Sequence, residues 1–239
     1  MKNEIKSDKK ACSANVKVSY KIKKDESDHL LKRSVRDILR LKFLIGILNL
    51  ICKVKIYGLK NIQNESCIYV SNHSSHLDMV CIYKVLIKRF GHKKVKKLCC
   101  LAASELQKNI IMKKIFQSLG AILVDRNGNM VSPLKILNKY MLEMNYSAII
   151  FPEGTRSRDG KIGCFMKGAA LSAMKANVPL VPIGIKGSFE IWPPDKKRPV
   201  KKWKRQVVTV SVGKPVYSEN KNASELTEII QKKVEELVK

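Results

Sequence analysis

The sequence lacks the features that mark several common classes of protein. It has no glycine-rich phosphate loop, no dinucleotide-binding fingerprint and no internal repeat. Nucleotide-binding folds of those types and repeat architectures are therefore not indicated. The first thirty residues are charged and contain no apolar run, so we expect no secretory signal.

Cysteine is present, but its pattern does not indicate a disulfide framework. The number of cysteines is odd, no Cys-x-x-Cys pair occurs, and several cysteines lie inside apolar, strand-like runs. We therefore expect buried, reduced thiols in a cytosolic setting. The seven residues are Cys12, Cys52, Cys67, Cys81, Cys99, Cys100 and Cys164.

Acidic residues are scarce relative to basic ones. The 239 residues include 20 Asp and Glu against 47 Lys and Arg, which gives a formal net charge of +27. Such an excess indicates a polyanionic partner, such as an anionic membrane surface, a nucleic acid or a phosphorylated substrate. The hydrophobic fraction of 45% is that of a folded protein, so a disordered polycation is excluded.

We expect three regions along the chain. Residues 1–28 are polar and lysine-rich, which is typical of a solvated, poorly ordered tail. Residues 29–52 have a helical pattern, and we expect them to associate with a membrane. Residues 53–239 form the main domain, for which the length of the chain is ample.

The segment 29–52 joins a basic amphipathic pattern to a short apolar run. Apolar residues recur on one helical face and basic residues lie largely opposite: Leu31, Val35, Ile38 and Leu39 against Lys32, Arg33, Arg36 and Arg40. Residues 43–52 are apolar nearly all round, but this run is shorter than the roughly 20 residues that span a bilayer. The pattern favours a helix in the membrane interface. A helix packed on the domain core is the alternative.

From residue 53 onward, strand-like and helix-like segments alternate. Strands are predicted at 53–57, 67–70, 98–102, 120–126, 147–151, 178–185 and 207–212. Helices are predicted at 79–90, 104–119, 129–144, 165–176 and 223–238. This alternation predicts an α/β fold with a mostly parallel central sheet flanked by helices on both faces.

The most distinctive stretch, residues 71–78, directly follows the strand-like run 67–70. A strand that breaks into a polar turn and then enters a helix is where open α/β sheets place their chemistry. The turn holds His73 and, five residues later, Asp78. Five residues rotate a continuous helix by about 140°, so the two side chains would meet only on a bend. There Asp78 would hold the ring of His73, and His73 would act as a base.

Two other interpretations of this turn remain open from the residues alone. His73 can be a satisfied polar residue, with Asp78 an acidic residue favoured in the first helical turn. A metal site with His73, His76 and Asp78 is the second. The pair His73 and His76 lacks the glutamate of the zinc-binding helix motif, and no later cluster of ligands completes the set. We therefore expect no metal and no cofactor.

Four strand ends together resemble the glycerolipid acyltransferases. Residues 72–78 resemble that family's His-x-x-x-x-Asp signature, and residues 120–126 resemble its second block, which ends in an arginine. Residues 151–157, Phe-Pro-Glu-Gly-Thr-Arg-Ser, match its third block closely, and residues 178–183 resemble its proline-marked fourth. The blocks run in the family's order and spacing. The nearest member type is the 1-acyl-glycerol-3-phosphate acyltransferase.

The resemblance implies acyl transfer from a fatty-acyl thioester to the sn-2 hydroxyl of 1-acyl-glycerol 3-phosphate (lysophosphatidic acid), which gives phosphatidic acid. His73 would be the general base and Asp78 its orienting carboxylate, so no covalent acyl-enzyme is expected. The donor would be acyl-CoA or acyl carrier protein. The protein would work on the cytoplasmic face of a membrane, as a peripheral or monotopic protein.

The resemblance also implies substrate-binding roles for Arg126, Glu153, Gly154, Thr155 and Arg156. The planar forks of Arg126 and Arg156 suit the phosphate of the acceptor. A surface ion pair, with Asp125 or Asp159, is the alternative for each arginine. Glu153 would orient an arginine or accept from an acceptor hydroxyl, and Gly154 would permit a tight turn or a close approach.

Two alternatives to this function remain. One is an acyltransferase for another lysophospholipid or a remodelling reaction, because head-group choice depends on the shape of the pocket. The other, of a different class, is a non-catalytic basic module for nucleic acid or an anionic membrane, favoured by lysine runs near 93–97 and 196–205. Those runs lack the regular aromatic interleaving of nucleic-acid binders, so no nucleic-acid partner is expected.

Overall fold

A computed structural model of the chain describes residues 34–95, 97–103, 110–124, 131–196, 198–200 and 205–239. The expected tail of residues 1–28 and the candidate Arg126 lie outside the described residues. The elements are, in order, α1 (Val35–Ile51), β1 (Cys52–Tyr57), β2 (Ile68–Ser71), α2 (Asp78–Val95), β3 (Leu98–Ala103), α3 (Ile110–Ser118), β4 (Ala121–Val124), α4 (Val131–Met144), β5 (Ser147–Ile150), α5 (Gly168–Ala176), β6 (Leu180–Lys186), β7 (Gln206–Val212) and α6 (Ala223–Val238).

These strands form one sheet in the order β1–β7–β6–β2–β5–β3–β4. Every neighbouring pair is parallel except β6 and β7, which run antiparallel. Strand β2 lies between β6 and β5 and is parallel to both. The loops that follow β2, β5 and β6 therefore leave the same edge of the sheet, where ligand sites of open α/β folds lie. The predicted α/β fold with a mostly parallel sheet is confirmed.

Helices cover both faces of the sheet. On one face, α1, α2 and α3 pack over a core that includes Leu48, Leu86 and Tyr69 of β2. On the other face, α4, α5 and α6 pack over a core that includes Val70 of β2 and Ile230. All four residues of β2 are buried, as expected for a central strand covered on both sides.

Helix α1 packs on the domain with one side and faces solvent with the other. Leu41 and Leu48 are buried, and the helix contacts α2, α3 and β1. The other side exposes large apolar side chains, namely Val35, Leu39, Phe43, Ile47 and Leu50. Among the described residues, no helix combines the length and the apolar character that crossing a bilayer requires.

Two helices depart from their predicted bounds. The sequence predicts that α2 ends before Gly91, whereas the helix continues to Val95 beyond a kink at this glycine (φ 69°, ψ −174°). The sequence predicts that α5 begins at residue 165, whereas it begins at Gly168. The N–H groups of Phe165 and Met166 are bound instead by the side chain of Gln231 and the carbonyl of Pro152.

Most of the described cysteines are buried thiols, as the sequence predicts. Free and buried side chains are those of Cys52, Cys67, Cys81, Cys99 and Cys100. Burial raises the pKa of the Cys81 thiol well above its ordinary value, which keeps it protonated and unreactive. Cys164 is disulfide-bonded, so the prediction of a reduced thiol is wrong for this residue.

Candidate active site

The turn between β2 and α2 brings His73 and Asp78 into contact. Strand β2 ends at Ser71, and Asp78 is the first residue of α2. His73 Nδ1 lies 3.0 Å from Asp78 Oδ2, a hydrogen-bond distance. The side chain of Asp78 is fully buried, whereas that of His73 keeps 22% of its surface exposed. His73 is therefore held from within the protein while part of its ring stays open to a substrate.

The buried carboxylate of Asp78 is held by two loops. The N–H groups of Ser74 and Ser75 each donate to Oδ2 at 2.7 Å. Ser188, in the loop after β6, donates its hydroxyl to Oδ1 at 2.6 Å. These bonds satisfy a carboxylate that has no access to water and fix its orientation. Because a carboxylate only accepts, the neutral ring of His73 carries its proton on Nδ1.

Neighbouring strands support the same turn on both sides of β2. Phe151, directly after β5, stacks on the ring of His73 with the centroids 4.0 Å apart and the planes at 18°. On the β6 side, the buried side chain of Asn72 pairs with the main chain of Ile185. Asn72 Nδ2 donates to the carbonyl at 2.9 Å, and the N–H of Ile185 donates to Asn72 Oδ1 at 2.8 Å. The ring and the start of the turn are thus both fixed.

Glu153 ties the loop after β5 to the turn of His73. Its Oε1 accepts the N–H of His73 at 2.7 Å, and its Oε2 accepts the N–H of Gly163 at 2.9 Å. Burial raises the pKa of this carboxyl above its ordinary value, and the two N–H groups offset only part of the rise. The partner expected from the sequence, an arginine or an acceptor hydroxyl, is not one of these two contacts. Glu153 therefore holds the backbone of His73 in position.

The next three candidates, Gly154, Thr155 and Arg156, continue along the same loop. Gly154 has a φ of 73°, in the left-handed region that favours glycine. Thr155 is exposed, and Arg156 is half-buried. The N–H of Ser157 donates to the carbonyl of His73 at 2.8 Å, so the loop that carries Arg156 is fastened to the turn of His73.

His76 meets Arg156 rather than Asp78. Arg156 Nη1 lies 2.8 Å from His76 Nε2 and is also close to Nδ1. The ring of Trp192 lies on His76, with the centroids 5.1 Å apart and the planes at 41°. Burial and the neighbouring Arg156 lower the pKa of His76. In the part of the chain that the structure describes, no three His, Cys, Asp or Glu residues gather as metal ligands.

Six of the seven candidate site residues are described, and they lie in the two adjoining loops after β2 and β5: His73, Asp78, Glu153, Gly154, Thr155 and Arg156. Sequence reasoning missed Ser188 and Trp192 as parts of the site. Both follow β6, and only the pairing of β6 with β2 brings them there. The predicted strand at 178–185 was the available signal, because residues that directly follow a strand of a parallel sheet can lie at the site.

The fold and the site define a class of protein. It is an α/β protein with an imidazole, oriented by a buried carboxylate, at the carboxyl ends of parallel strands, where the imidazole is placed so that it can accept a proton. The chain belongs to the Acyltransferase family, whose sequence model matches residues 53–186. The matched region contains every candidate site residue named from the sequence.

Curated relatives of the chain share part of their length with it. The chain is 34% identical over 145 residues to the chloroplastic 1-acyl-sn-glycerol-3-phosphate acyltransferase BAT2 of Brassica napus, covering 59% of this chain and 39% of that protein. It is 34% identical over 140 residues to a probable 1-acyl-sn-glycerol-3-phosphate acyltransferase of Mycoplasma pneumoniae, covering 57% of this chain and 50% of that protein. The matches therefore span about half the length of these relatives, or less.

A solved structure shares the fold. The 1-acyl-sn-glycerophosphate (LPA) acyltransferase PlsC of Thermotoga maritima superposes with a TM-score of 0.64, over 88% of this chain and 84% of that chain. The sequence identity is 24%, so the likeness establishes the fold alone. The resemblance noted in the four sequence blocks is confirmed at the level of the family.

Proposed function

We propose that the protein transfers an acyl group from a fatty-acyl thioester to the sn-2 hydroxyl of 1-acyl-glycerol 3-phosphate and so produces phosphatidic acid. The observation that carries the proposal is the 3.0 Å contact of His73 Nδ1 with the buried carboxylate of Asp78. The contact lies inside the region that matches the Acyltransferase family. The printed names of the relatives support the choice of acceptor.

His73 is the general base of the proposed reaction. With the proton on Nδ1 directed at Asp78, Nε2 carries the free lone pair of the neutral ring. The acceptor hydroxyl attacks the thioester carbonyl carbon while its proton passes to Nε2. The fixed carboxylate of Asp78 stabilises the imidazolium that results, as in a Ser-His-Asp triad with the substrate hydroxyl in place of the serine. A positioned base of this kind contributes about 10²–10⁴ in rate.

The same histidine completes the transfer. The new ester forms as the C–S bond of the tetrahedral intermediate breaks, and the leaving thiolate takes the proton back from Nε2. His73 is neutral again at the end of the cycle, so no other proton carrier is needed. The hydroxyl of Ser75 donates to the carbonyl of Trp192 and that of Ser74 lies near the hydroxyl of Ser188, so neither is paired with His73, as a mechanism without a serine nucleophile requires.

Arg156 and Arg126 bind the phosphate of the acceptor in this proposal. Arg156 stands in the loop fastened to His73, so a phosphate that it held would place the glycerol hydroxyls near the imidazole. A guanidinium suits phosphate because its planar donors form paired bonds with two oxygens. The role of Arg126 rests on the sequence resemblance. Gly154 and Thr155, the two exposed residues before Arg156, would line the approach of the acceptor in this proposal.

We propose further that the protein works at the cytoplasmic face of a membrane as a peripheral or monotopic protein. The exposed apolar stripe of α1, defined by Val35, Leu39, Phe43, Ile47 and Leu50, would enter the interface. Helix α3 contacts α1 and adds two exposed apolar residues, Ile110 and Ile111. The net charge of +27 would attract anionic lipids. It would also attract the donor, because both acyl-CoA and acyl carrier protein are negatively charged.

A turnover assay with purified protein in vesicles tests the proposal. Labelled acyl-CoA and labelled acyl carrier protein are each offered with lysophosphatidic acid, glycerol 3-phosphate and lysophosphatidylcholine in parallel. The test variant is His73→Ala, and the matched control is His92→Ala, beyond the kink of α2. We expect phosphatidic acid from lysophosphatidic acid alone, a loss of about 10²–10⁴ in H73A and near-normal turnover in H92A.

Other outcomes of this assay would change or overturn the proposed function. Product from a different lysophospholipid, lost in H73A, keeps the chemistry and changes the acceptor. Near-normal turnover by H73A overturns the mechanism. An absence of transfer with every donor and acceptor, together with tight and salt-sensitive binding of nucleic acid or anionic vesicles, favours the non-catalytic basic module.

A further inference from the structure

We propose that His76 is a positioning residue that holds the guanidinium of Arg156 in place for the phosphate of the acceptor. The inference rests on the proposed function and deepens it at the phosphate subsite. His76 lies inside the turn that carries His73 and Asp78, yet it makes no contact that the base mechanism uses. Its side chain contacts Arg156 and Trp192, and its ring also forms a hydrogen bond with the backbone of Pro194.

Arg156 contacts the face of the His76 ring through one guanidinium nitrogen. Arg156 Nη1 is within 2.8 Å of Nε2 and is also close to Nδ1. The two ring nitrogens point their lone pairs in diverging directions, so one atom near both lies over the ring and not in line with either. A guanidinium nitrogen over an aromatic face is held by cation–π attraction.

The ring of His76 is itself fixed, so it can serve as a platform. The N–H of His76 donates to the carbonyl of Trp192 at 3.3 Å, and the hydroxyl of Ser75 donates to the same carbonyl at 2.7 Å. The Trp192 ring lies against His76, and its indole Nε1 donates to the carbonyl of Lys196 at 2.9 Å. The loops after β2, β5 and β6 thus converge on one cluster of three side chains, His76, Arg156 and Trp192.

The charge state of the ring fits this role. A neutral imidazole attracts a guanidinium over its face, whereas a protonated one would repel it. Burial and the adjacent Arg156 lower the pKa of His76, which keeps the ring neutral at neutral pH. His76 is buried on the side that faces the protein but keeps part of its surface exposed, and Arg156 is half-buried, so an incoming phosphate can reach the guanidinium.

The pre-set guanidinium would lower the cost of binding the acceptor. A free arginine side chain loses rotamer freedom when it binds a phosphate, and a platform removes part of that loss before the ligand arrives. The effect belongs to binding and not to proton transfer. His76 should therefore govern KM for a phosphorylated acceptor, while kcat depends on His73.

The test compares His76→Ala and His76→Phe with the wild type at saturating donor and varied lysophosphatidic acid. We expect H76A to raise KM up to about fivefold, the order expected for one lost cation–π contact at a site with exposed surface, with kcat within about twofold. H76F keeps an aromatic face, so its KM should stay within about twofold of the wild-type value. An unchanged KM in H76A, or a fall in kcat at constant KM, overturns the inference.

A double-mutant cycle tests whether His76 acts through Arg156. If it does, H76A has no further effect on KM in an Arg156→Ala background. If H76A raises KM in that background by as much as it does in the wild type, His76 acts by another route and the inference is overturned.

Calorimetric binding of micelles separates this inference from the proposed function. Lysophosphatidic acid and phosphate-free monoacylglycerol are titrated into the wild type and H76A. If the wild type shows no turnover but H76A weakens binding of lysophosphatidic acid alone, the acyl transfer fails and the role of His76 stands. Equal weakening for both lipids means that the phosphate is not involved, and the inference fails.

Discussion

The two loops that adjoin at the site each bind an aspartate, but they differ in how far that aspartate is buried. In the turn after β2, Asp78 is fully buried and accepts bonds from Ser188 and from two backbone N–H groups. In the loop after β5, Asp159 also accepts a hydroxyl, from Ser157 at 2.9 Å, and a backbone N–H, from Lys161 at 3.0 Å. That second aspartate is exposed. The two carboxylates have similar partners and differ in their access to water.

This difference separates two tasks. A buried polar network is costly to disturb because each lost partner leaves a group that water cannot reach. Such a network suits a base whose position must not vary. An exposed loop loses little when one bond is broken, because water replaces the partner. It suits the part of the site that admits and releases a substrate, where Arg156 lies.

The largest effect should come from the same substitution made in both loops. Asp78→Asn removes the charge, and its amide nitrogen must face either the N–H groups that Oδ2 accepts or the hydroxyl of Ser188, whose own proton then needs another acceptor. We expect a loss of about 1–3 kcal/mol in the free energy of unfolding for each buried donor left unpaired. We also expect a fall of about 10³–10⁴ in kcat, because the tautomer of His73 is no longer set. Asp159→Asn should change the free energy of unfolding and kcat only slightly.

Chemical denaturation and turnover of the two variants measure this contrast. Equal effects of D78N and D159N on stability would show that burial does not separate the loops. Normal turnover in D78N would show that His73 needs no carboxylate.

A second matched pair removes one hydroxyl from each loop. Ser188→Ala takes away the donor to Asp78 Oδ1, and Ser157→Ala takes away the donor to Asp159. We expect S188A to cost about 1–3 kcal/mol in the free energy of unfolding, as for other bonds to a buried charge. Its kcat should fall about tenfold, or about 1.4 kcal/mol in the barrier. S157A should resemble the wild type.

The conservative variant Ser188→Thr keeps the hydroxyl and separates positioning from packing. Recovery of kcat in S188T supports a role through Asp78. A kcat in S188A that equals the wild-type value, despite lower stability, would give Ser188 a structural role alone.

The parts of the fold and site that depend on short-range order were predictable from the sequence. Alternating strand and helix patterns predict the parallel sheet, because strands buried on both faces read as continuous apolar runs. The pairing of His73 with Asp78 was expected as well, since the residues are five apart and a strand-to-helix bend is where they can meet. Their contact at 3.0 Å agrees with that expectation.

The parts that depend on strand order were not predictable. Ser188 reaches Asp78 across 110 positions, and Asn72 reaches Ile185 across 113, only because β6 pairs with β2. The antiparallel direction of β7 also has no local signal, because the apolar pattern of a strand does not record its direction. The surroundings of helix α1 were also not predictable. An apolar pattern on two sides of a helix indicates that both sides are covered, but it does not show whether the domain core or a membrane covers them.

A smaller effect should come from the glycine of the open loop. Gly154 has a φ of 73°, and a β-carbon there would lie 2.5 Å from Met166 Cε. The methionine end can move, so the left-handed backbone sets the cost of Gly154→Ala at about 1–2 kcal/mol in the free energy of unfolding. The control is Gly46→Ala in α1, which meets no atom within 4 Å. It should stabilise the protein by up to about 1 kcal/mol.

Thermal or chemical unfolding of both glycine variants measures the difference. A neutral G154A would mean that the loop can take another conformation, and that its glycine is not needed for the backbone. A G154A variant that unfolds more easily yet keeps KM for the acceptor would separate loop conformation from phosphate binding.

The smallest expected effect is a pH dependence at His76, which lies where the two loops meet. Burial and the adjacent Arg156 hold its pKa below the ordinary value of 6.5. Between that lowered value and 6.5, the unfolded chain binds more protons at this residue than the folded protein does. The free energy of unfolding therefore rises with pH across this window, and the contribution is lost as pH falls.

His76→Phe removes this proton and keeps the charged and titratable neighbours that influence His76, namely Arg156, His73 and Asp78. Chemical denaturation at about pH 7.5 and about pH 5.5, on either side of the ordinary histidine pKa, compares the two proteins. We expect the wild type to lose slightly more stability on acidification than H76F, since the other groups contribute alike to both. An equal loss would mean that the His76 ring takes up its proton as readily in the folded protein as in the unfolded chain. The contact with Arg156 would then impose no electrostatic cost, and the two loops would meet without coupling through this residue.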